Sequence, residues 1–162
     1  DLVFTSIAGS DSEVHTRLMP AMEMVFVGHK ALHAQARRAL ADLAQHDLIT
    51  FQRGSQPHQS LLQRFQEAGL PAPRIHAISS ISAMVQLVEG RFGIATLPRA
   101  ATRHLSSRLL LRILRSEVSL APLPIHASYR ADPGSGVAES VLESAQAYVG
   151  RTKPVRRARG ST

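Results

Sequence analysis

An α/β fold with mostly parallel sheets and flanking helices is what this sequence predicts, and three observations predict it. Short apolar runs with β-type composition alternate with amphipathic segments of helical period along nearly the whole chain, the pattern of strand–helix–strand units with right-handed crossovers. The stretch SISAMVQLVEGRFGIATLP, residues 80–98, shows such a unit most plainly. Composition allows a packed core: 44% of the 162 residues are hydrophobic, enough for one domain or two small lobes.

Within residues 80–98, Ile81, Met84, Val85 and Val88 share one face of a helix. Ser80 is placed to cap that helix, and Gly90 suits a left-handed stop. Residues 93–97 are uncharged and mostly apolar, as expected of a covered strand, and Pro98 ends the run because it has no amide to donate.

The remaining elements follow in chain order. Residues 1–7 read as a strand and 9–13 as a polar turn. Residues 17–28 read as a strand with Glu23 toward solvent, and 29–33 as a loop. A short helix over 36–46 turns Leu40 and Leu43 inward, and 48–51 is a strand. Residues 55–68 predict a helix with Ser55 as cap, Pro57 in the first turn, Leu61, Leu62, Phe65 and Ala68 inward, and Gly69 as stop. Pro71 and Pro73 mark a loop before a strand over 74–79. After Pro98 come a short helix to about 104, an extended run over 109–114 and a half-buried strand over 123–130. A turn at 132–134 leads to a final helix over 135–149, with Val137, Val141, Leu142, Ala145, Tyr148 and Val149 on one side.

Composition also excludes. Aromatics are only 4% and Trp is absent, which argues against stacking platforms for single-stranded nucleic acid or sugars. Without cysteine there is no disulfide scaffold, thiol nucleophile or cysteine zinc site. No apolar run reaches membrane-spanning length and no signal pattern opens the chain. Most of the net charge of +7 comes from Arg151, Lys153, Arg156, Arg157 and Arg159, so residues 151–162 read as a disordered, solvated basic tail.

In α/β sheets ligands bind beyond the carboxyl ends of strands, where helices begin. Two such places are TFQRGS, residues 50–55, and residues 79–82. Each presents free amides at a positive helix end, suited to a carboxylate or other anion, and Arg53 adds a charged clamp to the first. A third strand end carries Thr5 and Ser6. His29 and His33 have metal-ligand spacing but no acidic third ligand nearby, and read as exposed polar residues. There is no Gly-x-Ser-x-Gly elbow, Walker loop or Gly-x-Gly-x-x-Gly, so no catalytic residue, cofactor or metal is assigned.

The segment MVQLVEGRFGIATLP, with its Val-x-Gly-x-x-Gly-Ile-x-x-x-Pro pattern over Val88–Pro98 after a Ser-rich helix start, resembles the effector-binding domain of LysR-type transcriptional regulators. The resemblance extends to about Val149 and covers the later part of the family's pattern. It implies a two-lobed architecture like type II periplasmic binding proteins, with the first lobe incomplete and the winged helix-turn-helix outside the sequence. On that reading residues 1–24 are a first-lobe strand and crossover, 25–97 the second lobe, and 98–150 the return to the first. Effector contacts are then expected at Thr5, Ser6, Thr50, Gln52, Arg53, Ser55, Ser80 and Ser82, in a cleft between lobes. The expected protein is no enzyme but a cytoplasmic sensor of a small organic acid. It forms a homodimer or tetramer, has no membrane contact and reaches DNA only through the absent domain. Alternatives are a fragment of a periplasmic-type solute-binding protein, or a degenerate enzyme or basic RNA-binding fragment.

Overall fold

A computed structural model describes residues 1–9, 11, 13–33, 37–71, 73–130 and 135–152. The turn expected at 132–134, the start of the helix expected at 36 and the tail from 153 lie outside these residues.

The chain forms two compact units, one of Met22–Leu123 and one of Asp1–Ala21 with Pro124–Thr162. The larger unit holds a five-stranded sheet in the order β5-β4-β6-β3-β7. Its strands are β3 (Met24–His29), β4 (Leu48–Thr50), β5 (Ile75–Ala77), β6 (Ile94–Pro98) and β7 (Leu111–Ile113). β5, β4 and β6 run parallel, whereas β3 pairs antiparallel with both β6 and β7. The mostly parallel character expected of the sheets is therefore broken by β3, which runs against its two neighbours. Both α4 (Arg99–Ser106) and β7 remain in this unit, which continues past the expected boundary at 97.

Alternation along the strands divides the apolar residues between two faces. Met24, Phe26, Leu48 and Ile94 pack with Leu61 and Phe65 of α2 (Gln56–Glu67) and with Leu40 and Leu43 of α1 (Leu40–Leu43). Val25, Val27, Ile49, Ala95 and Leu97 pack with Met84, Val85 and Val88 of α3 (Ile81–Glu89). Leu62 is not among α2's inward residues; it is 37% exposed, one position round the helix from Leu61.

Both long helices of this unit end in the same reverse-turn motif. In α2, Leu70 N–H donates to the Phe65 carbonyl and Gly69 N–H to Gln66, with Gly69 at φ 63°. In α3, Phe92 N–H donates to Leu87 and Arg91 N–H to Val88. The left-handed residue there is Arg91 at φ 63°, not Gly90, whose φ is −70°. The helix runs one residue further than its apolar face, through Glu89, and so shifts the motif onto arginine. Gly93 has a different constraint: a Cβ there would lie 2.2 Å from the Asp47 carbonyl oxygen, which accepts the Ile94 amide.

The segment expected as one strand over 17–28 is two, β2 (Val14–Met22) and β3, broken at Glu23 and belonging to different sheets. In the smaller unit, β1 (Leu2–Thr5) and β2 flank β8 (Leu123–Arg130), and α5 (Ser135–Thr152) covers one face. β1 and β8 are antiparallel. Met19, Ala127, Tyr129 and Leu142 form its core, and the Tyr129 hydroxyl donates to Glu139 at 2.9 Å. Val137, Val141 and Tyr148, expected inward, are 75%, 50% and 64% exposed, because Leu142 and its neighbours Ala138 and Ala145 define the buried side of α5.

Candidate functional site: the strand-to-helix corners of the larger unit

β4 and β5 are parallel neighbours, with Thr50 opposite Ala77, so their carboxyl ends lie side by side. The Ile78 amide continues the pairing by donating to the Thr50 carbonyl at 2.8 Å. From these adjacent ends α2 starts over one face of the sheet and α3 over the other. The two helix starts expected to face a ligand thus open at the same edge of the sheet.

Ser55 N–H donates to the Gln52 carbonyl at 3.0 Å, closing a turn whose third residue, Gly54, has φ 81°. Gly54 allows this sharp reversal, which leaves Gln52 and Arg53 exposed at the corner. The Arg53 side chain has no hydrogen-bond or ion-pair partner among the described residues. Ser55 stands at the N-cap with extended backbone, yet its hydroxyl makes no capping bond. That hydroxyl is buried and unpartnered, as are Gln56 Oε1 and His58 Nδ1 in the same first turn. Pro57 removes one amide donor, so Gln56 and His58 offer the free first-turn amides. The first turn contains no acidic residue to satisfy this positive end internally. Unsatisfied buried polar groups are costly, and this corner gathers three of them beside an unpaired guanidinium.

At the second corner, the Ser80 hydroxyl accepts the Ala83 amide at 3.4 Å and so caps its own helix. Ser82 is exposed one residue into α3. Thr50 is not available as a contact residue. It is fully buried, and its hydroxyl lies 2.7 Å from that of Thr96 on β6. It ties the strand end to its neighbour and positions the Gln52–Ser55 turn that follows. In the smaller unit, Thr5 and Ser6 are exposed at the end of β1, and the Thr5 hydroxyl donates to the Ile7 carbonyl. Gln56, His58 and Thr96 were not among the residues expected from sequence. The available signal was polar residues on either side of a first-turn proline, where the helix-start pattern drew attention to the cap alone.

His29 and His33 are buried, at 2% and 3% exposure, contrary to the expectation of exposed histidines. His33 packs its ring against Gly28, where any Cβ would lie 2.4 Å from Cδ2, and edge-on to His46 at 5.1 Å. Burial, then the nearby His46, Arg38 and His29, hold its pKa down at about 4. Among the described residues no group of three or more His, Cys, Asp or Glu side chains is placed to hold a metal. No described helix is long and apolar enough to cross a membrane.

The family model of the LysR substrate-binding domain matches residues 1–149. The chain belongs to that family. LysR-family domains among solved structures share its fold, that of type II periplasmic binding proteins, and their known members are transcriptional regulators. The regulatory domain of CcmR from Synechocystis PCC6803, in complex with 2-PG, is 16% identical with a TM-score of 0.73, over 94% of this chain and 74% of that one. The effector-binding domain of QuiR in complex with shikimate gives 19% and 0.70, over 95% and 74%. That of BenM with its effector benzoate gives 20% and 0.68, over 99% and 76%. No curated protein matches this LysR-family chain in sequence.

Proposed function

We propose that this chain is the effector-sensing domain of a transcriptional regulator and that it binds a small carboxylate at the β4–α2 corner. The observation that carries the reading is the Ser55 hydroxyl, buried and unpartnered at a helix start, beside the unpaired Arg53. A carboxylate bound there accepts from the Gln56 and His58 amides and from Ser55, with Arg53 closing over it as a charged fork. Ser80 and Ser82 at the neighbouring helix start, and Gln52 in the turn, complete the second-lobe contacts. Ser80 keeps its hydroxyl proton free for this while accepting from Ala83. Thr5 and Ser6, in the smaller unit, are effector contacts by the family resemblance alone. Shikimate and benzoate, the ligands of QuiR and BenM, both carry a carboxylate.

In this reading the ligand favours one pre-existing arrangement of the protein over another by its differential affinity. The change is passed to a winged helix-turn-helix on DNA by a cytoplasmic homo-oligomer. Isothermal titration with a panel of organic acids tests the site. Arg53→Ala and Ser55→Ala should each weaken binding of whichever acid binds, by about tenfold, whereas Arg157→Ala in the tail should not. If the tail variant loses binding while both corner variants keep it, the site is wrong.

A further inference from the structure

A second concavity of the larger unit, separate from both corners, has a volume of about 730 Å³. Three arginines from three different segments line it: Arg37 before α1, Arg99 at the start of α4, and Arg115 after β7. Arg37 and Arg115 are exposed, and neither guanidinium has a partner among the described residues. Arg37 adjoins Arg38, which bridges Ser116 beside Arg115, so these two cations flank one end of the groove. Arg99 stands at the other end. Its Nε is 2.7 Å from Glu23 Oε2 but out of line for a hydrogen bond, and that Nε is buried.

Stability alone does not account for Arg99. It occupies the first position of α4, where the helix dipole already places positive charge, and no acidic residue stands in that turn. Glu23 neutralises it in part, and the remaining acid of the groove, Glu117, is exposed, against two unpaired arginines in the same lining. A surplus of positive charge is therefore gathered in a concave space with a polar lining of Ser116, Ser119 and backbone. β6 and β7 pair with opposite edges of β3, so the backbones at Arg99 and Arg115 lie two strand spacings apart across the sheet, about 10 Å, with a further two-residue offset along it.

We infer that this groove is a second anion site, for a small molecule carrying an oxyanion group at each end, one held by Arg99 and the other by Arg37 and Arg115. Carboxylate and phosphate ends satisfy the same guanidinium geometry. A single charge engages only one end of the groove.

Methionine methyl resonances of the full chain provide the test, because the four methionines are Met19, Met22, Met24 and Met84, and only Met24 lines the groove. Adipate, with a carboxylate at each end, should shift the Met24 methyl and leave Met84, on the opposite face of the sheet, unmoved. At matched ionic strength hexanoate, of the same length with one charge, should bind about tenfold more weakly or worse, and so should adipate to the Arg37→Ala/Arg115→Ala variant. If that variant also shifts Met84, Arg115→Lys is read instead; it keeps the charge but loses the fork and should still weaken adipate. The inference is overturned if adipate leaves Met24 unmoved, if hexanoate binds as well, or if the groove variants bind as the parent does. Loss of the adipate response in Arg53→Ala with the groove arginines intact also overturns it, since adipate then occupies the β4–α2 corner. Loss of the groove response alone leaves the corner proposal standing.

Discussion

The α2 and α3 helices of the larger unit are built on one plan and differ in where each leaves a local rule unmet. Both start beside the carboxyl ends of parallel strands and both end in a Schellman motif. α3 starts well, with Ser80 bonded to its own first turn, and ends under strain, with Arg91 in the left-handed region that costs any side chain. α2 ends without strain on Gly69 and starts unsatisfied, with the Ser55 hydroxyl buried and unpaired. An unmet requirement at a helix end far from the corners is a small stability cost and nothing more. The unmet hydrogen bond at the corner lies beside the unpaired Arg53, and that combination is what the proposed carboxylate site rests on. Position within the fold thus separates the two readings of a local defect.

The largest expected effect tests whether the two helices share one frame. Met84→Asp places an unpaired carboxylate against the sheet and should cost about 4 kcal/mol or more, unfolding the unit. Leu62→Asp on the half-exposed flank of α2 should cost less than 1 kcal/mol. Chemical denaturation separates them, and equal losses would break the assignment of faces.

Acidification comes next. The buried His33 has a folded pKa of about 4 against an ordinary value near 6.5, so the unfolded chain binds the proton more readily. Stability should therefore be full above pH 6.5 and fall as pH drops toward 4. A flat melting profile across that window would show that His33 is accessible. Comparison of the two helices belongs above the window, at pH 7.5.

There the helix ends should respond in opposite directions. Arg91→Gly relieves the left-handed strain and should stabilise by about 0.5–1 kcal/mol, whereas Gly69→Ala should destabilise by about 1 kcal/mol. Effects of the same sign in thermal melts would refute the mirror relation between the helices. The smallest effect is the most diagnostic. Ser80→Ala should cost about 0.5–1 kcal/mol of stability, and Ser55→Ala should be near neutral, since it removes a hydroxyl that bonds to nothing in the fold. An equal cost for the two serines would mean that Ser55 is an ordinary cap.

Much of this architecture is legible in the sequence where periodicity and punctuation agree. The Ile81–Val88 face, the Ser55 and Ser80 starts and the Gly69 stop are local signals, and the structure honours them. What escapes is set by neighbours distant in the chain. Glu23 breaks a run of apolar residues that otherwise reads as one strand, because the two halves pair with different sheets. Thr50 looks like a contact residue until Thr96, far along the chain, takes its hydroxyl. His29 and His33 read as surface until Gly28 is seen to leave room for a ring. The candidate site itself is half legible: a serine before a helix marks the place, but whether its hydroxyl is free depends on the fold.

The chain path has a consequence for how the protein is made. The larger unit is one continuous segment, Met22–Leu123, whereas the smaller unit is assembled from the two ends of the chain. Its middle strand, β8, is also its last, so β1 and β2 have no strand between them until that segment leaves the ribosome. At usual elongation rates the intervening segment takes roughly 5–20 s to synthesise. By the end of that time the larger unit has its whole sequence available and can fold, while β1 and β2 still lack the strand that pairs between them. Nascent-chain proteolysis should find residues 22–123 protected first, with β1 and β2 cleavable until β8 and α5 have emerged.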